Sequence, residues 1–116
     1  MAAYKTNLNI ERGSQYNKKV TWKDSTGALI DNSAYTARMK IKQMPDNATT
    51  ELELTNANGG IILGGDNGEI DIYISAADTT NLDFSIGRYD LELYTNVNNV
   101  KRILQGYVNV IQEVTV

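Results

Sequence analysis

The sequence predicts an all-β protein, an antiparallel β-sandwich of seven or eight short strands, and three observations support this prediction. Apolar and polar residues alternate with a period of two along most of the chain, which is typical of strands with one buried face. Turn-forming clusters recur about every 8–12 residues, and no βαβ spacing is present. A closed barrel is the main alternative architecture. The length of 116 residues predicts a single domain, residues 1–116.

The first half of the chain contains the clearest strand pattern. Leu8 and Ile10 alternate with polar residues before a turn at 12–14, and a second extended segment ends at the turn cluster 24–27. In segment 35–42, apolar residues occupy one face, and polar or charged residues occupy the other. This alternation predicts a half-buried antiparallel strand with one face in water.

The second half of the chain contains shorter strands, hairpin signals and one helical signal. The cluster Gly64–Gly68 predicts a tight hairpin, because Gly and Asn tolerate the positive φ that such turns need. Ser75 is followed by an acid, Asp78, at the third helical position, which is a variant of the capping box. This motif predicts a single helical turn near 75–82, and we expect this turn to cross from one sheet to the other. Gly106 in the last strand indicates a bulge or a close backbone approach. The other expected strands are 52–54, 61–63, 70–74, 89–93 and 100–110, with a hairpin loop at 96–99.

The apolar members of these alternations form the predicted core. We interpret Trp22 as an aromatic anchor between the sheets rather than as a ligand-stacking residue, because burial commonly explains such a residue. The other expected core residues are Ala37, Met39, Ile41, Ile70, Ile72, Ile74, Tyr89, Leu91, Leu93, Val108 and Val110.

Composition and charge exclude several classes of function. With no cysteine and no histidine, the chain lacks the residues for disulfides, for thiolate zinc sites and for catalysis by a Ser/His or Cys/His pair. Eleven basic and fourteen acidic residues give a net charge of −3, so we expect no nucleic-acid partner and no membrane partner. Neither a signal-peptide pattern nor an apolar run of transmembrane length is present, so we expect synthesis in the cytoplasm without export.

Two acidic motifs resemble functional sites, and each has a simpler structural interpretation. Segment 66–71 resembles a calcium loop, but its glycine comes too early and its end enters a strand, which favours a hairpin. Asp90 and Glu92 share a strand face at about 6–7 Å, a spacing that overlaps that of inverting glycosidases. Arg88 shares this face and no cleft is indicated, which favours a solvated charge ladder. We therefore expect no enzyme, no catalytic residue, no cofactor and no metal.

Two groups of residues are candidates for an interaction surface. A basic stripe on one strand face consists of Arg38, Lys40 and Lys42. Its functional interpretation is phosphate binding, and its structural interpretation is a solubilising face that discourages edge pairing. Three tyrosines are expected on the non-core faces of late strands, where they serve either a protein interface, which is rich in tyrosine, or the docking of sugar rings. The candidate interface residues are Tyr73, Tyr94, Tyr107, Arg38, Lys40 and Lys42.

Three stretches of the chain carry a resemblance to a known family. The first combines Arg12–Ser14 with the segment 24–31, the second is 70–80, and the third joins 87–93 to 101–110 and 113–115. Together they resemble small immunoglobulin-like virion proteins of tailed bacteriophages, including the β-sandwich modules of baseplate and tail-tip proteins. The opening departs from the family pattern, because its serine stands where an acid is usual. The resemblance spans most of the chain and implies an immunoglobulin-like sandwich.

The resemblance also implies a function in assembly. We expect a non-catalytic structural component of a tailed-phage virion, in the tail or baseplate or as a fibre-attachment module, that acts through protein–protein interfaces. The implied partners are other virion proteins, in several symmetry-related copies, and the implied location is the virion after assembly in the host cytoplasm. Residues 1–6 and 113–116 are candidate interface tails, since either can add to a neighbour's sheet. The alternatives are a capsid decoration protein and a carbohydrate-binding module for a host surface glycan.

Overall fold

The computed structural model describes residues 4–43, 50–96 and 98–112. Within these ranges the chain forms nine strands, one short helix and a 3₁₀ turn at Gly65–Asn67. In chain order, the strands and the helix are β1 (Tyr4–Lys5), β2 (Leu8–Glu11), β3 (Tyr16–Thr21), β4 (Thr36–Gln43), β5 (Thr50–Thr55), β6 (Ile61–Leu63), β7 (Glu69–Ile74), α1 (Ala76–Thr80), β8 (Ile86–Asn96) and β9 (Asn99–Ile111).

The strands form two sheets that pack against each other. The larger sheet has the order β1-β9-β8-β4-β5, with β2 also paired to β9, and the smaller sheet has the order β3-β7-β6. Two sheets with about seven to nine strands in all are typical of immunoglobulin-like sandwiches. The predicted all-β, immunoglobulin-like β-sandwich is confirmed. Helix α1 crosses from β7 of the smaller sheet to β8 of the larger sheet, as expected for the helical turn.

The N-terminal strands depart from the antiparallel expectation. Strands β1 and β2 both run parallel to β9. Hydrophobic alternation predicts that a strand exists and which face is buried, but it does not specify the neighbouring strand or its direction. Within the candidate tail 1–6, Tyr4 and Lys5 pair with β9 of their own chain. Residues 1–3 and the other candidate tail, 113–116, lie outside the described residues.

The core lies between the two sheets. The apolar residues expected there on strands β4, β7, β8 and β9 are all buried, and Met39 and Leu91 are fully so. Further buried apolar residues come from shorter strands, from the segment after α1 and from the middle of β9. These additional core residues are Leu8, Ile10, Leu54, Ile61, Leu82, Phe84 and Leu104.

The expected position of Trp22 between the sheets is wrong in detail. Trp22 follows the end of β3 and is only half-buried at the margin of the core. Its ring meets that of Tyr35 edge-on, with 5.2 Å between centroids. The backbone N–H of Trp22 donates to the carbonyl of Gly68 at 2.8 Å, and the backbone carbonyl of Trp22 accepts from the N–H of Ile30 at 3.0 Å. The backbone therefore enters a hairpin at this point, and the indole stays at the edge of the sandwich.

The predicted turns at 12–14, 24–27 and 64–68 are present, and side chains stabilise several of the turns, whereas the predicted loop at 96–99 includes residue 97, which lies outside the described residues. The carboxylate of Asp24 accepts three hydrogen bonds, at 2.6–3.1 Å, from groups two and four residues ahead. Ser75 Oγ accepts from the N–H of Asp78 at 3.1 Å and begins α1. Gly68, at φ +69°, ends the 3₁₀ turn between β6 and β7, so the segment 66–71 forms the hairpin that was favoured over a calcium loop.

Two buried polar residues, Asn32 and Thr79, join loops to the rest of the sandwich. The side-chain amide of Asn32 donates to the carbonyl of Glu69 at 3.0 Å, and its Oδ1 accepts from the N–H of Gly65 at 2.8 Å. Thr79 Oγ1 accepts from the N–H of Gly13 at 3.1 Å. Asn32 thus connects the 24–34 loop to the β6–β7 hairpin, and Thr79 connects α1 to the turn after β2.

Gly106 marks a close backbone approach, one of the two alternatives expected for it. A Cβ atom at this position would overlap the carbonyl oxygen of Thr6, to which the hydroxyl of Tyr89 donates at 2.8 Å. The bulge of β9 lies elsewhere, where the pairing with β8 shifts just after Leu91. Ile103 is the extra residue there, because its neighbours pair and it does not.

Candidate interaction surfaces

The outer face of the larger sheet, here termed the cationic face, contains a region whose charge is opposite in sign to that of the whole chain. A shallow depression of about 730 Å³ lies on it. Six cationic side chains line this depression against two carboxylates, those of Asp90 and Glu92, whereas the net charge of the chain is −3. The six cationic residues are Lys5, Arg38, Lys40, Lys42, Arg88 and Arg102.

The predicted basic stripe forms one row of the cationic face. Arg38, Lys40 and Lys42 point outward on β4, because the residues between them are buried in the core. Strand β8 lies alongside, with Glu92 opposite Arg38 and Asp90 opposite Lys40. Opposite charges on neighbouring strands are a favourable cross-strand arrangement. The two acids therefore lie between the stripe and Arg102 of β9.

Both carboxylates that line the depression are engaged in ion pairs. Arg38 Nε lies 3.0 Å from Glu92 Oε1, and the guanidinium of Arg102 lies 3.6 Å from Asp90 and 3.7 Å from Glu92. The acids form the charge ladder that the sequence favoured over a catalytic pair. An exposed pair such as Arg102–Asp90 contributes about 0.2–1 kcal/mol of stability. Lys42 has no ion-pair partner among the described residues.

The three candidate tyrosines do not form a common stacking platform. Tyr107 is 52% exposed on the cationic face, opposite Arg88. Tyr94 lies on the same face about 20 Å along β8, and the guanidinium carbon of Arg38 is 4.6 Å from its ring centroid. Tyr73 lies on β7 of the smaller sheet. The fold therefore brings five of the six candidate interface residues to one face and places Tyr73 on the other sheet.

A second depression, here termed the β1–β3 groove, lies between strands β1 and β3 at one side of the sandwich. Its volume is about 930 Å³. Trp22 and six other apolar or aromatic residues line it, together with four cations, Lys5, Lys23, Lys101 and Arg102. No acidic residue of the described chain is among the lining residues. The six other apolar lining residues are Tyr4, Val20, Ile30, Val100, Ile103 and Leu104.

The perturbed titrating groups have structural causes. Burial raises the pKa of Tyr16, and burial together with the charge of Tyr16 raises the pKa of Tyr89. Hydrogen bonds from the hydroxyl and the N–H of the residue two places ahead lower the pKa of Asp24 and of Asp31. The tyrosines pack at the core and the aspartates stabilise turns, so none of the four groups forms an acid–base site with another residue in a cleft.

The described part of the chain contains no metal centre. No group of three or more Asp or Glu side chains in residues 4–43, 50–96 and 98–112 is placed to hold a metal ion. In the same ranges, no helix has both the length and the apolar character needed to cross a membrane.

Three important residues of these surfaces, Lys5, Arg102 and Trp22, were not identified as surface candidates from the sequence. Lys5 joins the cationic face only because β1 pairs with β9, a contact between the two ends of the chain. Arg102 joins it because the bulge at Ile103 shifts the alternation of β9. The adjacent charges of Lys101 and Arg102 on one strand are a sequence signal of a surface position. The face of the sheet on which each side chain lies depends on the bulge at Ile103.

No protein-family model matches the chain, and no curated protein matches it. Similar solved structures include the extracellular domain of the voltage-gated sodium channel beta4 subunit, described as a parallel homodimer with a role in cell–cell adhesion. It shares 14% identity at a TM-score of 0.49 and covers 98% of this chain and 97% of its own.

Two further solved structures are similar at a comparable level. One comes from work on the cell-adhesive interactions of voltage-gated sodium channel beta subunits, at 15% identity, a TM-score of 0.47 and 92% coverage of both chains. The other is Tim-1, at 15% identity, a TM-score of 0.42 and coverage of 100% of this chain and 99% of its own. Every TM-score is below 0.5, so these likenesses carry no conclusion about function, and none concerns a phage protein.

Proposed function

We propose that this protein is a non-catalytic structural component of a tailed-phage virion that acts through protein–protein interfaces. The observation that carries the interaction part of the proposal is the cationic face, with its exposed Tyr107. Interfaces favour arginine and tyrosine, and both residue types are present on this face. The virion part of the proposal rests on the sequence resemblance, which runs from about Leu8 to Thr115.

The distribution of charge supports association with acidic protein surfaces. Six cations and two carboxylates give the lining of the depression a charge of +4, and a chain total of −3 leaves −7 on the rest of the chain. Complementary potentials speed encounter and select the orientation of partners. A protein with this asymmetry can place its cationic face against the acidic surface of a neighbour. Such heterologous contacts generate rings when the rotation closes, which is compatible with several symmetry-related copies.

The location that we propose is the tail or baseplate, or a fibre-attachment position, after assembly in the host cytoplasm. This part follows from the resemblance to baseplate and tail-tip modules. A capsid decoration protein is the alternative within the same class, since a fold does not determine a position in a particle.

Carbohydrate binding is the alternative in a different class, and the arrangement of the tyrosines gives it less support. Stacking of a sugar requires an accessible ring face, and the ring of Tyr94 is covered by Arg38. Tyr107 and Tyr73 lie on different sheets, so they cannot contact one glycan together. Tyr107 is the one of the three that combines high exposure with a place on the cationic face.

Incorporation of charge-reversed chains into particles tests the proposed function. The double variant Lys40→Glu/Lys42→Glu reverses two charges on the cationic face, and the control variant Lys18→Glu/Lys19→Glu makes the same net change on β3 of the smaller sheet. Each is expressed in cells that produce the phage, and the chain bound to gradient-purified particles is quantified by immunoblot. We expect incorporation of the first variant to fall about tenfold and that of the control to stay near wild type.

Two outcomes contradict the proposed function in different ways. Absence of the wild-type chain from purified particles excludes a virion component. Equal incorporation of all chains, combined with loss of host-glycan binding in a Tyr94→Ala/Tyr107→Ala variant, supports the carbohydrate-binding alternative instead. Thermal melts of each variant verify that the charge reversals leave the domain folded.

A further inference from the structure

The β1–β3 groove has the features of a peptide-binding site. We propose that it binds an extended segment of a partner protein in which apolar and acidic residues alternate. This inference rests on the proposed function, because it names a partner chemistry for a module that acts through protein interfaces. The groove is distinct from the cationic face, although Lys5 and Arg102 border both.

The floor of the groove supplies the apolar half of this recognition. Val20, Trp22, Ile30 and Ile103 line it, and the half-buried indole packs edge-on against Tyr35. A rigid aromatic ring at the margin of a core offers contact area with little loss of side-chain freedom. Apolar side chains on one face of an incoming strand would be removed from water here.

The rim of the groove supplies the electrostatic half. Lys5, Lys23, Lys101 and Arg102 line it, and no acidic residue of the described chain does. Arg102 already contacts Asp90 and Glu92 on the cationic face, whereas the three lysines have no ion-pair partner among the described residues. This concentration of positive charge in a chain of net charge −3 favours acidic side chains in the occupant and disfavours basic ones.

The position of the groove between two sheet edges favours an extended occupant. Among the described strands, β3 pairs with β7 on one side and β1 pairs with β9 on one side. Both strands line the groove, and a partner strand can add to the second edge of either by β-augmentation. The segment 100–104 of β9 lines the groove over five residues, roughly 16 Å in extended form. An occupant of about five or six residues would fit this length.

Trp22 provides a direct readout of binding, because it is the one tryptophan of the chain and lines the groove. A capped hexapeptide that alternates valine and glutamate is titrated into the full chain while Trp22 emission and heat of binding are recorded. We expect saturable binding with a change in Trp22 emission. We expect the affinity to fall with added salt and by about tenfold in Lys23→Glu/Lys101→Glu.

Three controls make the result specific. The Lys40→Glu/Lys42→Glu variant changes the net charge equally on the cationic face, and we expect it to bind the peptide within about twofold of wild type. A valine–lysine hexapeptide tests the sign of the charge. A peptide with N-methyl groups on alternate amides tests backbone pairing. We expect the valine–lysine peptide and the N-methylated peptide each to bind at least about tenfold more weakly than the valine–glutamate peptide.

The following results would overturn the inference. Absence of saturable binding up to about 1 mM peptide excludes a useful affinity. Equal binding of the N-methylated peptide excludes strand addition, and binding of dodecanoate but not of the peptide assigns the groove to anionic amphiphiles. Because this assay needs no particle, the groove proposal can fail while the virion proposal stands, and the reverse is equally possible.

Discussion

At the residue scale, a few side chains determine how the loops attach to the sandwich. Asn32 is fully buried and uses both its amide N–H and its carbonyl oxygen to bind the β6–β7 hairpin. Gly106 leaves room for the carbonyl of Thr6, and this carbonyl accepts a hydrogen bond from the Tyr89 hydroxyl. These contacts join segments that are far apart in sequence. The effect of each residue on stability therefore cannot be inferred from the residues next to it in the chain.

Replacement of Asn32 by alanine should destabilise the protein more than its size suggests. The Asn32→Ala change leaves the N–H of Gly65 and the carbonyl of Glu69 without their side-chain partner inside the fold. We expect the free energy of unfolding to fall by about 2–3 kcal/mol, measured by urea denaturation. Asn17→Ala on the exposed face of β3 is the matched control, with an expected change of less than about 0.5 kcal/mol. Equal effects of the two changes would contradict the role assigned to Asn32.

The Tyr89 hydroxyl should make stability depend on pH in the alkaline range. Burial raises the pKa of Tyr89 above the usual value, so the unfolded chain loses this proton at lower pH than the folded chain does. The folded state then binds more protons, and its stability falls as the pH rises above about 10. We expect the melting temperature of wild type to fall more steeply above this pH than that of Tyr89→Phe. Equal slopes of melting temperature against pH for wild type and Tyr89→Phe would contradict this account. Tyr89→Phe should keep a smaller slope, because the pKa of Tyr16 is also raised.

At the element scale, hydrophobic alternation explains why the central strands form and which face each one buries. On β4 and β8 the alternation is unbroken, and two outward pairs, Arg38 with Glu92 and Lys40 with Asp90, are of opposite charge, whereas Lys42 lies opposite Arg88. The stripe Arg38, Lys40 and Lys42 and the acids Asp90 and Glu92 could therefore be assigned to outer faces from the sequence. Their meeting on one face depends on strand order, which the sequence pattern does not contain.

The central strands should also be the most sensitive to loss of packing. Leu91 is fully buried on β8, so Leu91→Ala should lower the free energy of unfolding by about 2–5 kcal/mol. Ile86 begins the same strand and is 51% exposed, so Ile86→Ala should cost less than about 1 kcal/mol. Chemical denaturation measures both. A loss below about 0.5 kcal/mol for Leu91→Ala would place this side chain outside the core.

The parts of the fold that the sequence did not predict depend on long-range pairing. The parallel pairing of β1 and β2 with β9 joins the two ends of the chain, and no local pattern encodes that contact. The bulge at Ile103 moves Arg102 onto the cationic face, and a bulge within an alternating strand is not marked by a particular residue type. The β1–β3 groove depends on both features and on the half-buried Trp22, so it could not be inferred before the strands were placed.

At the scale of the whole molecule, the sandwich separates its charges between surfaces. The cationic face and the β1–β3 groove together contain most of the lysines and arginines of the described chain. The exposed edges and the charged sheet face are features that an isolated domain must protect from non-specific association and that an assembled domain can use. This separation is the physical basis for the proposed function in an assembly.

The number of copies of the chain on purified particles tests this account most directly. If the proposed function holds, a phage encodes the chain; particles of such a phage are purified on a density gradient in buffers of low and high salt, and the chain is quantified with isotope-labelled peptides against a major virion protein. We expect a fixed number of copies per particle that matches a multiple of the particle's symmetry, with partial release at high salt. Fewer than about one copy per particle under both conditions would contradict the account.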